Sequence, residues 1–553
     1  MTSTCDASLY DVAIVGYGPV GATLANLLGR AGLRTVVVER DANIFDQPRA
    51  IGFDHEVMRV FQGAGLAEAV LPVTGSLRPT IYTGAEDQVI RRFEHVPPPF
   101  PYGWRPNYTF DQPGLEGALR RGAESHDTVE VLLRHEMTDL GQDEVSAWLH
   151  VRDLDRGDAK TIRSRFVVGC DGSRSSVRKH LGIAFEDMGF DEPWIVIDVY
   201  ARDVDRLPQT NIQFCDPKRP MTYIVGPENH RRWEMMLLPG ETAEEISRTD
   251  RIHDLLARWG EPEEFEIRRS AVYRFHALVA ERWRDGRVFL AGDSAHQTPP
   301  FIGQGMCQGI RDAANLAWKL KAVLGGGAAP ELLDTYQAER KPHVEVTTQR
   351  TKALGEEICL RDADAARKRD AALQKSLETG EMDIVRQNLI PGLSAGLIAG
   401  AEENVPPDEA GALALQPKVR PAGGGEMLLD DLVGPAFAII VDGATRCTAE
   451  WQAEWARIDG RVITLVAADA DSAAPLAGGV AAIDVDGLLL ADMRHKGIIA
   501  LIVRPDRYVF GAACSDTELG AHVADLVGRL TGAARHRSHA RRMPLDAGVL
   551  PIP

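Results

Sequence analysis

The apolar run Asp11 to Val15 ends in glycines at 16, 18 and 21; Ala22 to Arg30 then reads as a helix and Thr35 to Glu39 as a β-branched strand. Strand, Gly-rich turn, helix and strand in this order confine the start of the chain to an α/β unit whose first turn can cradle a phosphate. Gly16 permits the tight turn, Gly18 lets backbone approach a pyrophosphate, and Gly21 lets helix and strand pack closely. Glu39 closes the second strand and suits the hydroxyls of a ribose, while the helix N-terminus favours negative charge. The pattern predicts a dinucleotide without choosing one, and an NAD-dependent dehydrogenase satisfies it equally.

A chain of 553 residues exceeds what one core serves, so roughly three to four domains are expected at about 150 residues each. A formal charge of −18 opposes nucleic-acid binding, which needs clustered Lys and Arg, although local fields can still hold an anionic cofactor. The seven cysteines contain no C-x-x-C, which argues against a zinc ribbon or a redox pair and for a cytoplasmic protein. No metal site is expected. Neither a signal peptide nor a membrane span is read: the apolar stretch Leu389 to Ala401 is short and broken by Pro391 and glycines.

Further along, residues 77–110 are rich in Pro, Tyr and Trp and read as an inserted β segment, and the alternating runs of residues 186–280, such as WIVIDVYA, TYIVG and WEMMLLP, predict a sheet. The first domain is then discontinuous, over residues 1–76, 111–185 and 281–400, the last carrying a long helix from Gly305 to Leu324. Residues 401–425 have linker composition, and residues 426–553 predict a small α/β domain.

Two later motifs narrow the dinucleotide: VGCDGSRSSVR at 168–178, and VFLAGD at 288–293 followed by AHQTPPFIGQGMCQG. Alone, Asp-Gly is an everyday turn and Gly-Asp a helix cap. In this order and spacing they resemble the group A flavoprotein aromatic hydroxylases. The resemblance implies α/β architecture: an FAD-binding Rossmann-like domain of the p-hydroxybenzoate hydroxylase type, a β-sheet substrate domain, and a C-terminal thioredoxin-like domain without redox cysteines. It assigns Gly16, Gly18, Pro19 and Gly21 to the ADP part of FAD, with Glu39 and Arg40 flanking the AMP. Asp171 and Gly172 serve FAD and NAD(P)H, and Gly292 and Asp293 the ribityl chain. Pro300, Gly303, Gln304, Gly305 and Met306 form the loop at the flavin pyrimidine edge, where backbone N–H groups meet developing charge. Arg49 and Gln112 match flavin-touching positions, though Arg49 also reads as a loop charge and Gln112 as a helix cap.

Segments such as PRAIGFDHE, EPWIVIDV, RRWEMMLLPGETAEE and VRPDRYVF further resemble the 3-(3-hydroxyphenyl)propionate hydroxylases within that family. That likeness implies ortho-hydroxylation of a phenol by O2 through a flavin C4a-hydroperoxide, with NADH favoured over NADPH as a transient reductant, and it admits a homodimer. TPPFIGQG departs from the Pro-Val-Trp-Gln-Gly-Gln-Gly pattern of those enzymes at Phe301 and Ile302, which leaves the phenol open. A phenol of pKa about 10 gains from a nearby base. His55 is the expected base, although Asp54 can simply cap a helix that begins with it, and His296 is either a second base or a packed structural histidine. Arg105, Arg219 and Arg232 are candidates for binding an acidic tail, and Trp194, Phe214, Tyr223 and Trp233 for the aromatic pocket. The competing readings are a hydroxylase of larger polycyclic phenols, an FAD-dependent dehydrogenase or halogenase, and a flavin-binding redox sensor; the halogenase Trp-x-Trp-x-Ile signature is absent.

Overall fold

The computed structural model describes residues 9–46, 50–94, 96–382, 385–401, 409–445, 450–468, 476 and 478–532. The opening motif builds a parallel sheet. Leu9–Val15 lies between Thr35–Val38 and Ala159–Gly169, with Val129–Leu132 and Val288–Leu290 outside them, all parallel neighbours. Burial on both faces explains the unbroken apolar runs: Val12, Ala13, Ile14, Val36 and Val37 are fully enclosed. Helix Gly305–Leu324 covers this sheet with Ile310, Ala313, Leu316, Ala317 and Leu320, a helical spacing, and stops at Gly325 and Gly326, where φ reaches +74°.

A second, eight-stranded sheet runs from His296–Gln297 through Phe265–Ala280, Phe185–Ala201, His230–Met236, Met221–Val225, Asn211–Phe214 and Thr80–Thr83 to Val89–Phe93. Only Thr80–Thr83 and Val89–Phe93 of the early β segment join it. Asn107–Phe110 instead pairs with Gly52–Asp54 and Thr74–Ser76 in a small sheet of its own.

The C-terminal unit is a seven-stranded sheet. At its centre Ala438–Asp442 runs parallel to Arg461–Val466 and antiparallel to Ala500–Val503, which continues into Val509–Ala513. Helix Asp516–Thr531 begins at a Ser515 cap that accepts from Glu518 N. It buries Leu519, Val523, Leu526, Val527 and Leu530, and ends at Gly532 in the left-handed region. The expected linker needs correction: Lys418–Pro421, inside residues 401–425, pairs with Val480–Asp484 as part of this sheet. Its flanking glycines and prolines conceal a four-residue strand from a composition argument. Residues 402–408 and 533–553 lie outside the described residues.

Buried ion pairs fasten this unit to the rest. Arg59 grips Asp430 with two bonds of 2.9 Å, and Arg504 reaches Glu339 at 2.7 Å. Among the described residues no helix is long and apolar enough to cross a membrane.

Candidate active site

A cavity of about 710 Å³ opens where the first two sheets meet, with the glycine turn at one end and the broad face of the second sheet at the other. Gly16, at φ +101°, has no room for a side chain, since a Cβ there would lie 2.5 Å from Cys170 O. At Gly21 a Cβ would come within 2.1 Å of Gly16 O, while at Gly18 nothing lies within 4 Å. Two glycines therefore serve packing, and the third borders open space. Helix Pro19–Arg30 starts here with a proline, no side-chain cap and no acid in its first turn, which leaves its N–H groups to the cavity. Glu39 accepts from Tyr17 N at 2.7 Å and Asp41 N at 2.8 Å, holding the turn at the cavity edge beside the exposed Arg40.

Asp171 lines the cavity and braces the start of the short helix Ser176–His180, whose cap is Ser175, accepting from Ser175 Oγ, Ser176 N and Val177 N at 2.6, 2.6 and 3.1 Å. Gly172 beside it takes φ +77°. Arg178 donates to Ser294 O at 3.2 Å, tying the Asp-Gly turn to the Gly-Asp turn. Asp293 lines the cavity; Gly292 lies behind it, where a Cβ would stand 3.0 Å from Val20. Gly309, which sequence reading passed over, brings the long helix within 2.9 Å of the Gly292 Cα by the same measure.

His296 is a structural histidine and does not line the cavity. Its Nε2 meets Asp312 at 2.7 Å with its ring stacked on Trp283, and Asp312 also accepts from Gly292 N and Arg340. Pro300, Gly303, Gln304, Gly305 and Met306 all line the cavity. The Gln304 side chain is turned inward, donating to Asp54 at 3.1 Å and accepting from Arg311 at 2.9 Å. Arg311 also holds Asp54 and Glu56, each at 2.6 Å, and Glu56 accepts from Tyr508 Oη of the C-terminal unit at 2.7 Å. Gln112 is no helix cap: Asp111 fills that position, and the buried Gln112 accepts from Ala50 N at 2.7 Å and donates to Glu116. Arg49 lies outside the described residues.

His55, the expected base, does not line the cavity. It is the first residue of helix His55–Gly63, which Asp54 caps through Val57 N, and its ring stacks on Tyr102 with centroids 4.4 Å apart. Burial pushes its pKa down to about 4 against the pull of Asp54 and Glu56, so the ring is neutral at pH 7.

Strand alternation corrects the aromatic expectations. In Met221–Val225, Thr222 and Ile224 face the cavity while Tyr223 points to the opposite side; in His230–Met236, Arg232 and Glu234 face it while Trp233 turns away. Tyr223, Trp233 and Phe214 belong to the core behind the sheet, packed with Trp259. Trp194 is fully buried and supports the wall indirectly, stacking on Phe275 and meeting Phe301 edge-on, each at 5.7 Å. Arg219 clamps Glu241 and Arg105 meets Ser76 Oγ, both away from the cavity.

The wall itself is Tyr82, Phe93, Val196, Tyr273, Phe275, Phe301 and Ile302, with Asn211, Arg232, Glu234 and Arg386 as polar groups. Arg232 is held by Asp198 at 2.7 and 3.1 Å. Burial opposes charge on Asp198, but Arg232 and His230 outweigh it and keep the carboxyl below the usual range. At Glu234 burial prevails and raises the pKa, with Arg232 only 3.7 Å away. Among the described residues no group of His, Cys, Asp and Glu is placed to hold a metal.

An FAD binding domain family matches residues 9–351, the whole of the two-sheet body around this cavity as far as the long helices, and the HcaD C-terminal domain family matches residues 411–529. The chain is an FAD-dependent aromatic monooxygenase. The monooxygenase is 37% identical over 524 residues to a probable NADH-specific resorcinol 4-hydroxylase of Rhodococcus jostii, covering 94% of each chain. It is 34% identical over 567 residues to a 3-(3-hydroxy-phenyl)propionate/3-hydroxycinnamic acid hydroxylase of Comamonas testosteroni, covering 92% of this chain and 95% of that one. In fold it resembles the flavin-dependent monooxygenase PieE, at a TM-score of 0.77 and 21% identity, over 94% and 99% of the two chains. It also resembles the anhydrotetracycline hydroxylase OxyS of Streptomyces rimosus, at 0.73 and 26%, over 95% and 99%. The monooxygenase binds FAD and an aromatic substrate, and its cavity fits the cofactor on its own geometry: open space at Gly18, unclaimed N–H groups on the first helix, and a second uncapped helix start at Gly305.

Proposed function

We propose that this monooxygenase hydroxylates a monocyclic phenol ortho to its hydroxyl, with NADH as reductant, and that the phenol carries an acidic side chain as 3-(3-hydroxyphenyl)propionate does. The observation that carries the reading is the composition of the cavity's inner end: an aromatic box of Tyr82, Phe275 and Phe301 into which a buried carboxyl and two guanidinium groups face. Relatives at 34% and 37% identity named for phenolic substrates, one of them NADH-specific, support it.

In this reading Gly16, Gly18, Pro19 and Gly21 receive the pyrophosphate, Glu39 and Arg40 flank the adenosine, Asp171, Gly172 and Asp293 face the ribityl side, and the loop from Pro300 to Met306 offers N–H groups to the flavin ring, with Gln112 and Arg49 beside it. The flavin supplies the oxygen-transfer chemistry when bound. The chain's own residues orient and dry the phenol: Tyr82, Phe275 and Phe301 exclude water and hold the ring, and Glu234 accepts the phenolic proton in place of His55. Burial that raises the Glu234 pKa strengthens it as an acceptor. The C-terminal unit is thioredoxin-like in this reading; the order Arg461–Val466, Ala438–Asp442, Ala500–Val503, Val509–Ala513, with one parallel and two antiparallel pairings, supports it.

A panel of phenols scored by product mass and by product formed per NADH consumed tests the proposal. Catechol-type products from hydroxyphenylpropionate or resorcinol, coupled to NADH, are expected. Efficient turnover confined to polycyclic phenols, or a kcat/KM higher with NADPH, would overturn it.

A further inference from the structure

Several buried arginines among the described residues are answered by carboxylates: Arg59 by Asp430, Arg232 by Asp198, Arg311 by Asp54 and Glu56, Arg340 by Asp312, Arg504 by Glu339 and Asp506. Others, Arg178 and Arg231, are held away from the cavity by backbone carbonyls. Arg386 differs. It lies in the segment Arg386–Leu389 beyond helix Ala363–Thr379, and Gln387 pins that segment by donating to Pro106 O at 3.0 Å. Arg386 lines the cavity, its Nε enclosed and without a hydrogen-bond partner, and no carboxylate among the described residues stands within ion-pairing distance. Its Nη2 lies 3.5 Å from where a Cβ on Gly303 would stand, so the guanidinium sits where the flavin loop meets the substrate end. Burial lowers its pKa, and the nearest opposing influences, Tyr82, Cys307 and Asp54, do not offset that.

Arg386 is half-buried, with its Nε shut off from water and no counter-charge beside it, and a planar anion with two oxygens matches such a guanidinium best. Arg386 also falls between residues 9–351 and 411–529, so neither matched domain accounts for it. The uncapped start of helix Gly305–Leu324 already offers donors on the loop side. What remains in reach of Arg386 is the aromatic box.

We propose that Arg386 is the anchor for the substrate's anionic side chain, pairing with the carboxylate of an aromatic acid held in the box and so setting which phenols the monooxygenase prefers. The inference rests on the reading of the cavity as a phenol site, and two measurements on the FAD-loaded enzyme keep the two apart. The first is equilibrium binding of 3-phenylpropionate, an acid with no phenol to hydroxylate, followed by perturbation of the flavin spectrum. Arg386→Met should weaken it by about tenfold or more, the loss of one charge-assisted pair, with Arg386→Lys in between. The second is the kcat/KM ratio of 3-(3-hydroxyphenyl)propionate over the neutral 3-propylphenol, which should fall about tenfold or more in Arg386→Met. Equal 3-phenylpropionate affinity in wild type and Arg386→Met, or a ratio that does not move, overturns the anchor while leaving phenol hydroxylation intact. Loss of FAD from Arg386→Met puts the guanidinium on the flavin and overturns it as well. If no phenol is hydroxylated, the wider reading fails and the binding measurement still decides the anchor.

Discussion

Alanine at Gly18 and alanine at Gly21 should fail in opposite ways. Gly18 has φ −71° and ψ −173°, which alanine adopts freely, and a Cβ there meets nothing within 4 Å. Alanine is a poorer helix cap than glycine by up to about 1 kcal/mol, and a stiffer unfolded chain returns about 0.4–1 kcal/mol, so the apoprotein should hold within about 1 kcal/mol. The methyl group nevertheless occupies the space through which a phosphate oxygen reaches backbone N–H. Losing one charge-assisted bond, about 1.5–3 kcal/mol, weakens FAD roughly 10- to 150-fold. At Gly21 the new Cβ falls 2.1 Å from a backbone oxygen. Overpacking of about 1–3 kcal/mol then opposes a helix-propensity gain of about 1 kcal/mol, and the apoprotein itself is weakened. Thermal unfolding of flavin-free protein and FAD titration by fluorescence quenching separate the two effects. If Gly18→Ala binds FAD within about threefold of wild type, or its apoprotein falls as far as that of Gly21→Ala, the division between cradle and packing glycines is wrong.

His55→Phe should keep the stack on Tyr102 and remove a titration: the unfolded imidazole takes a proton near pH 6.5 and the folded one only near 4, so wild type loses up to about 3 kcal/mol between those pH values and the variant does not. Melting at pH 7 and pH 4.5 measures this, and an unchanged acid slope or a tenfold loss of hydroxylation would contradict the placement. Asp430→Ala leaves Arg59 and Arg507 without their carboxylate and should cost about 3–5 kcal/mol, read as an earlier unfolding transition in denaturant. Glu234→Gln should abolish an acid limb in kcat/KM that lies above the ordinary glutamate value of about 4.3. Because burial raises that pKa, the charge costs the fold stability at higher pH, so Glu234→Gln should also melt later at pH 8; an unaltered pH profile would remove Glu234 from the reaction.

The glycine turn was legible because its geometry is local: Gly16, Gly18 and Gly21 act within six residues, and the strand and helix around them carry their own periodicity. The substrate wall was misread for a reason the sequence does contain. Tyr223 and Trp233 stand out as aromatics, yet period-two alternation sends them to the opposite face from Thr222, Ile224, Arg232 and Glu234, and the opposite charges of Arg232 and Glu234, two apart on one strand, are the better signal. His55 follows the cavity-lining run Ala50 to Phe53 in sequence but does not itself reach the cavity, since a residue at a helix start points where the cap sets it. Arg386 had no signal at all. Its neighbours Gly303, Cys307, Tyr82 and Asp54 lie 79 to 332 residues away in sequence, and its surroundings carry no periodic pattern.

The line of contacts from Tyr508 through Glu56 and Arg311 to Gln304 bears on how such enzymes can be recombined. A graft that exchanged the C-terminal unit for one without a hydroxyl at this place would leave the Glu56 carboxylate short of a donor, in a buried site that also holds the Gln304 side chain of the cavity-lining loop. Position 56 and position 508 therefore form a compatibility pair: chimeras that inherit both from one parent should keep the loop's alignment, and those that split them should fold with a loosened flavin.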